Sequence, residues 1–166
     1  FDTARNYSDS ESKIGEALAG ERKNIVIATK SGGKTGEALI PDLETSLGNL
    51  KTDYVDILQT HNPATVPLPD DGTGRYEALL KAKEQGKVRF IGLTNHSLER
   101  AEQALESGLY DTIQYPFSLL ASAGEIALVE RCRALDVGSV PYTHVTLANE
   151  REEGRLGGHG TRAHHE

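Results

Sequence analysis

The chain has 166 residues, with 18 Lys and Arg against 25 Asp and Glu, a formal net charge of −7, one cysteine and no methionine. That acidic balance disfavours nucleic acid and anionic membrane as partners, since both select clustered Lys and Arg, and no apolar run approaches the ~20 residues of a membrane span. A lone Cys132 excludes an internal disulfide and any all-cysteine metal or iron–sulfur site; with no signal-peptide pattern at Phe1, a cytoplasmic setting is expected.

In chain order, Phe1-Asp2-Thr3 reads as the tail of a strand. Ser8 and Glu11 have capping-box spacing, and Ile14 with Leu18 marks one helical face. Asn24–Thr29 is a short apolar run with the texture of a strand buried on both faces. Gly32, Gly33 and Gly36 mark a loop, Pro41 suits a first helical residue, and Leu43, Leu47 and Leu50 recur with helical spacing. Tyr54–Leu58 is the next strand, followed by a loop with Pro63, Pro67, Pro69 and Gly72. A helix around Tyr76, Leu79 and Leu80 ends at Gly86. Val88–Leu93 is a strand, and Ser97 caps a helix carrying Leu98, Ala101 and Leu105. Thr112–Tyr115 is a short strand, Ile126–Leu135 a helix with Leu128, Cys132 and Leu135 on one stripe, and Val137–Tyr142 a further strand. Alternation of this kind builds a parallel sheet with helical crossovers. By itself it fits both a closed barrel and an open doubly wound sheet. The missing G-x-G-x-x-G after the first strand weakens the second option.

Polar residues stand at successive strand ends: Asp2 with Tyr7 beyond it, Lys30, His61, Thr94-Asn95-His96, and Gln114. In a parallel barrel all these ends face one mouth, where such folds place their sites. Other features read as ordinary structure. The loop Ser31–Gly36 lacks the full phosphate-loop spacing, and His96 reads as a turn residue. His144, His159, His164 and His165 have no frame to hold a metal. Cys132 reads as a small buried apolar residue.

The segments FDTARNYSDSESKIGEAL, VIATKSGG, YVDILQTHNP, GKVRFIGLTNHS and DTIQYPFSLL carry a resemblance to the aldo-keto reductases, covering about residues 1–138. It implies a (β/α)8 TIM barrel and NAD(P)H-dependent hydride transfer to the carbonyl of a small molecule. By the same resemblance Tyr7 is the general acid, Lys30 and Asp2 are its supporting ion pair, and His61 orients the substrate carbonyl. Thr94, Asn95 and Gln114 would hold the nicotinamide of NADPH or NADH. The residue types suit the chemistry. A carbonyl that receives hydride becomes an alkoxide and needs a proton donor. A neighbouring ammonium is expected to lower the phenol's pKa, and amides can both donate to and accept from a carboxamide. Ser8 stands where the family usually has Gly, Thr94-Asn95 where it has Ser-Asn, and His96 where many members have an apolar residue. These forms are most similar to a prokaryotic branch whose barrel often carries a C-terminal iron–sulfur segment, which a single cysteine cannot house.

The resemblance further implies an incomplete barrel with the equivalents of strands 2 to 7, the first and last strands missing. Residues 1–138 would be the partial barrel, and 139–166, hydrophilic and unlike the family, a disordered or out-of-frame tail. A sheet that cannot close leaves open edges, so the chain alone is expected to fold poorly and to bind cofactor weakly. The alternative is a non-catalytic, cofactor-sensing or regulatory barrel subunit, against which the intact Asp2, Tyr7, Lys30 and His61 argue.

Overall fold

Five strands lie side by side in strict chain order, every neighbouring pair parallel, in a computed structural model that describes residues 1–142. They are β1 (Ala28–Ser31), β2 (Val55–His61), β3 (Val88–Thr94), β4 (Thr112–Pro116) and β5 (Gly138–Tyr142). Asp2 adds a sixth position through a single parallel bridge to Ala28, as the tail-of-a-strand reading of Phe1–Thr3 expects. Helices α1 (Ser10–Leu18), α2 (Gly36–Leu50), α3 (Arg75–Glu84), α4 (Leu98–Ser107) and α5 (Ala123–Ala134) provide the crossovers. Sequential order is what a closing barrel requires, whereas a doubly wound sheet reverses direction partway. The topology therefore decides between the two options that residue pattern alone left standing.

Strand alternation divides the sheet into two faces. Ile27, Leu58, Ile91, Leu93 and Ile113 pack with Leu39, Leu43, Leu47, Leu50, Leu79, Ala101 and Leu105 of the helical layer into one buried core. On the other face, register aligns His61 with Thr94 and Gln114, and Lys30 with Gln59, Gly92 and Thr112. Phe90, in register with Ile57 on that concave face, is 44% exposed. The apolar stripe of α2 follows the predicted spacing, and Ser97 caps α4 by accepting from the Arg100 N–H.

Three local readings change. The strand expected over Asn24–Thr29 begins only at Ala28, and Arg22–Asn24 form a 3-10 turn instead. The Ile27 N–H donates to the Asp56 carboxylate at 2.9 Å, so regular pairing with β2 starts one residue later. Pro41 lies inside α2, because the Thr35 hydroxyl caps the helix further upstream by accepting from Ala38 N–H at 3.3 Å; Pro41 itself sits on the exposed face. Ser8 and Glu11 form no capping box: α1 starts at Ser10 without a side-chain cap, and Glu11 is turned into the interior. One glycine is required by packing: a Cβ on Gly15 would collide with the Asn49 carbonyl where α1 meets α2. The expected tail beyond Tyr142 falls outside the described residues, while Ser139–Tyr142 belong to β5, consistent with the strand read over Val137–Tyr142.

The base of the sheet is fastened by a buried carboxylate. Asp56, next to the start of β2, accepts from Arg22 Nη2 at 2.8 Å, Arg89 Nη1 at 2.8 Å and the Ile27 N–H. Arg22 also donates to the Ile25 and Tyr54 carbonyls and lies 3.8 Å over the Tyr54 ring. Burial pushes the Asp56 carboxyl up, but these donors outweigh it and hold it below the usual carboxylate range. Among the described residues no helix is long and apolar enough to cross a membrane.

Candidate active site

At the opposite end, the strand termini converge on an open cleft of about 150 Å³ lined by Asp2, Tyr7, Lys30, His61, Thr94, His96 and Gln114. Lys30 is almost fully buried; its Nζ donates to Asp2 Oδ2 at 2.6 Å and to the Thr3 carbonyl at 2.7 Å. A buried ammonium is tolerated only when such partners replace its water. The Lys30 carbonyl in turn accepts the Arg5 N–H at 3.0 Å, so the segment from Asp2 to Tyr7 is anchored along β1. Tyr7 follows a turn closed by its N–H to the Ala4 carbonyl, and Ser8 after it adopts φ +47°. A glycine, the residue the resemblance leads one to expect here, adopts that left-handed conformation without strain.

The Tyr7 and His61 rings meet edge to face with centroids 5.7 Å apart, and Lys30 Nζ lies 5.3 Å from the Tyr7 ring centre. Burial, and then the Asp2 carboxylate, hold the Tyr7 phenol above its ordinary pKa. This reverses the expected lowering. Lys30 is held by Asp2 and Thr3, and with the phenol protonated, burial and the Asp2 carboxylate decide the direction of its shift. Tyr7 is accordingly a protonated donor at neutral pH. Burial, with Lys30 and His96 acting in the same sense against Asp2, holds His61 below the usual histidine value. A neutral imidazole offers one N–H donor and one acceptor.

The three residues expected at a cofactor divide. Thr94 and Gln114 line the cleft beside His61. Gln114 donates from Nε2 toward Asp2 Oδ2 at 3.4 Å, while its Oε1 is buried and, among the described residues, has no partner. A buried orphan acceptor is costly unless a ligand donor satisfies it, and a carboxamide N–H suits it. Asn95 does not line the cleft. Its Nδ2 donates to the Pro63 carbonyl at 2.8 Å and its Oδ1 accepts the Ser97 N–H at 2.9 Å, fastening the Pro63 loop to the start of α4. His96, read as a turn residue, is exposed and lines the cleft at the end of β3. The one sequence signal that pointed to it was its place directly after Thr94-Asn95.

The family model for the aldo/keto reductase family matches residues 1–162. A methylglyoxal reductase of Salmonella typhimurium is 38% identical over 120 residues, 68% of this chain and 43% of that protein. An NADH-specific methylglyoxal reductase of Escherichia coli is 30% identical, covering 95% of this chain and 53% of that protein. The crystal structure of an aldo-keto reductase from Klebsiella pneumoniae in complex with NADPH matches with a TM-score of 0.73 at 28% identity, over 95% of this chain and 55% of that one. The chain thus spans about half the length of the relatives it matches, and its open sheet is a contiguous part of a (β/α)8 barrel.

Proposed function

The chain belongs to the aldo/keto reductase family, and on that premise we propose that it carries the catalytic half of an NAD(P)H-dependent carbonyl reductase. The observation that supports this most is the meeting in one cleft of Asp2 and Tyr7 from the opening segment, Lys30 from β1 and His61 from β2. A nicotinamide cofactor, when bound, supplies the hydride. The residues present fit such a group: Gln114 Oε1 offers an unmatched acceptor and Thr94 a hydroxyl beside it. Asn95 would act by shaping the loop over the cofactor, given that its amide is taken up locally.

Tyr7, held protonated by burial and by Asp2, would deliver its proton to the carbonyl oxygen as negative charge develops there. Lys30 stabilises the phenolate left behind, and Asp2 holds Lys30 in place. His61, neutral and edge-on to Tyr7, directs an N–H to the same oxygen from a second side. Methylglyoxal, named in the two curated relatives, is small enough for the cleft and is the first substrate to try.

The test follows cofactor absorbance in the full-length protein with methylglyoxal and either NADPH or NADH. Tyr7→Phe should lower kcat by about 100-fold or more, the usual scale of a lost proton donor, while cofactor fluorescence titration stays unchanged. Undiminished turnover in Tyr7→Phe would assign proton donation elsewhere. A wild-type protein that binds cofactor yet reduces no carbonyl would favour the sensing role instead.

A further inference from the structure

The catalytic segment Asp2–Tyr7 and the strand that carries Lys30 are separate pieces of chain, and their relative position sets the Tyr7–Lys30 distance. Backbone pairing joins them at Thr3–Ala28 and Arg5–Lys30. A second connection runs through a side chain that capping-box spacing had assigned to a helix terminus. Glu11, 1% exposed, points from the first turn of α1 into the space between α1, β1 and α2. Its Oε2 accepts from Arg5 Nη1 at 2.6 Å and from Asn49 Nδ2 at 3.2 Å, and its Oε1 accepts from Thr29 Oγ1 at 2.7 Å.

Each partner has a meaningful address. Arg5 lies in the segment between Asp2 and Tyr7, two residues before the phenol. Thr29 is the residue immediately before Lys30, its side chain on the helix-facing side of β1 while Lys30 faces the cleft. Asn49 belongs to the last turn of α2, at the place where Gly15 lets α1 approach most closely. Burial pushes the Glu11 carboxyl up, yet bonds from Ser46, Thr29, Asn49 and Arg5 outweigh this and keep it ionised. A buried, fully partnered carboxylate is geometrically demanding, since each donor must be at its place for the charge to be tolerated.

We propose that Glu11 is the positioning residue of this site, its buried carboxylate clamping the Tyr7-bearing segment through Arg5 and the Lys30-bearing strand through Thr29. The inference rests on the carbonyl-reductase reading above. Glu11 touches neither substrate nor cofactor space; it acts through Tyr7 and Lys30. Removing the clamp should therefore slow the chemical step and spare binding, because a misplacement of the donor by a fraction of its bond length raises the barrier without altering the cofactor's seat.

The test uses the full-length protein. Glu11→Gln keeps the shape but removes the charge that faces Arg5 and turns one acceptor into a donor, so the Thr29 arm must reverse its direction. It should lower kcat roughly tenfold and leave cofactor Kd and carbonyl KM within about twofold. It should also raise the primary isotope effect on kcat with deuterium-labelled cofactor, as hydride transfer becomes more rate-limiting. Two single-arm variants keep the question answerable should Glu11→Gln fail to fold. Arg5→Met removes an arm whose side chain is 26% exposed, and Thr29→Val is nearly isosteric. Each should give a smaller fall in kcat with the same pattern. A lowered melting temperature with unchanged kcat and isotope effect in these variants would reduce Glu11 to a structural residue and overturn the proposal. A defect confined to KM or cofactor Kd would overturn it as well. Wild-type protein with no carbonyl reduction at all would defeat the underlying reading, an outcome recognisable before any variant is compared.

Discussion

Two ion-paired carboxylates sit at opposite ends of the same sheet and are bonded to different degrees. At the base, Asp56 accepts from two guanidinium groups and a backbone N–H and is 2% exposed. At the mouth, Asp2 holds Lys30 at 2.6 Å but keeps a side chain 43% exposed, beside a half-exposed phenol and a glutamine oxygen that has no partner among the described residues. Both are short ion pairs, so distance alone does not distinguish them. What differs is the bonding capacity left over. A saturated cluster fastens elements and has nothing to offer a ligand. An unsaturated one, held from behind by a buried ammonium, keeps donors and acceptors aimed at open space.

That contrast can be broken most directly at the base. Asp56→Ala strands two guanidinium groups and an N–H, and should cost about 3 kcal/mol in urea unfolding. A loss below about 1 kcal/mol would mean that the base cluster does not fasten the sheet. Lys30→Met, in contrast, removes a buried charge together with the need to solvate it, so stability should move by less than about 1 kcal/mol. Turnover should nonetheless fall by about 100-fold. The same variant should raise the His61 pKa in an NMR titration, because Lys30 is one of the groups that depress it. An unchanged value would show that the Lys30 charge is not felt at that ring.

The acid limb of stability sharpens the comparison further. Glu11 and Asp56 both titrate lower in the folded chain than in the unfolded one. Their contribution is therefore complete above the ordinary carboxylate range near ~4 and is lost as pH falls through that range and below. Unfolding free energy measured against pH should drop along this limb in the wild type and fall less steeply in Glu11→Gln. The smallest effect is expected at the turn after Tyr7. Ser8→Gly relieves a left-handed backbone and should raise stability by about 0.5 kcal/mol in thermal or urea unfolding, less the entropy glycine loses on folding. A clear destabilisation would show that the Ser8 side chain contributes more than its backbone costs.

Much of the site was legible because it depends on strand ends. Lys30, His61 and Thr94 each follow an apolar run closely, Gln114 stands in a short strand and Asp2 at the tail of one, and in a parallel sheet that position sends them to one rim. Tyr7 was legible through its motif neighbours. Asn95 and His96 differ in where they point: the Asn95 amide bonds to the Pro63 carbonyl and the Ser97 N–H, and the His96 imidazole lines the cleft. Adjacent residues in a strand-end loop share no fixed alternation, so spacing could not say which of the two points inward. Glu11 was misread for a related reason. Capping-box spacing describes a local hydrogen bond, and nothing local reveals that Arg5, Thr29 and Asn49 assemble around that carboxylate.

The alternation of strands and helices, the apolar stripe of α2 and the polar strand termini rest on periodicity and on residues close together in the chain, and so are legible from residue order. The strand order, the inward turn of Glu11, the raised phenol of Tyr7 and the Gln114 oxygen left without a partner among the described residues are not. Each of those depends on partners far away in the chain, such as Asp2 and Gln114, whose approach is set by the curvature of the whole sheet rather than by any local preference.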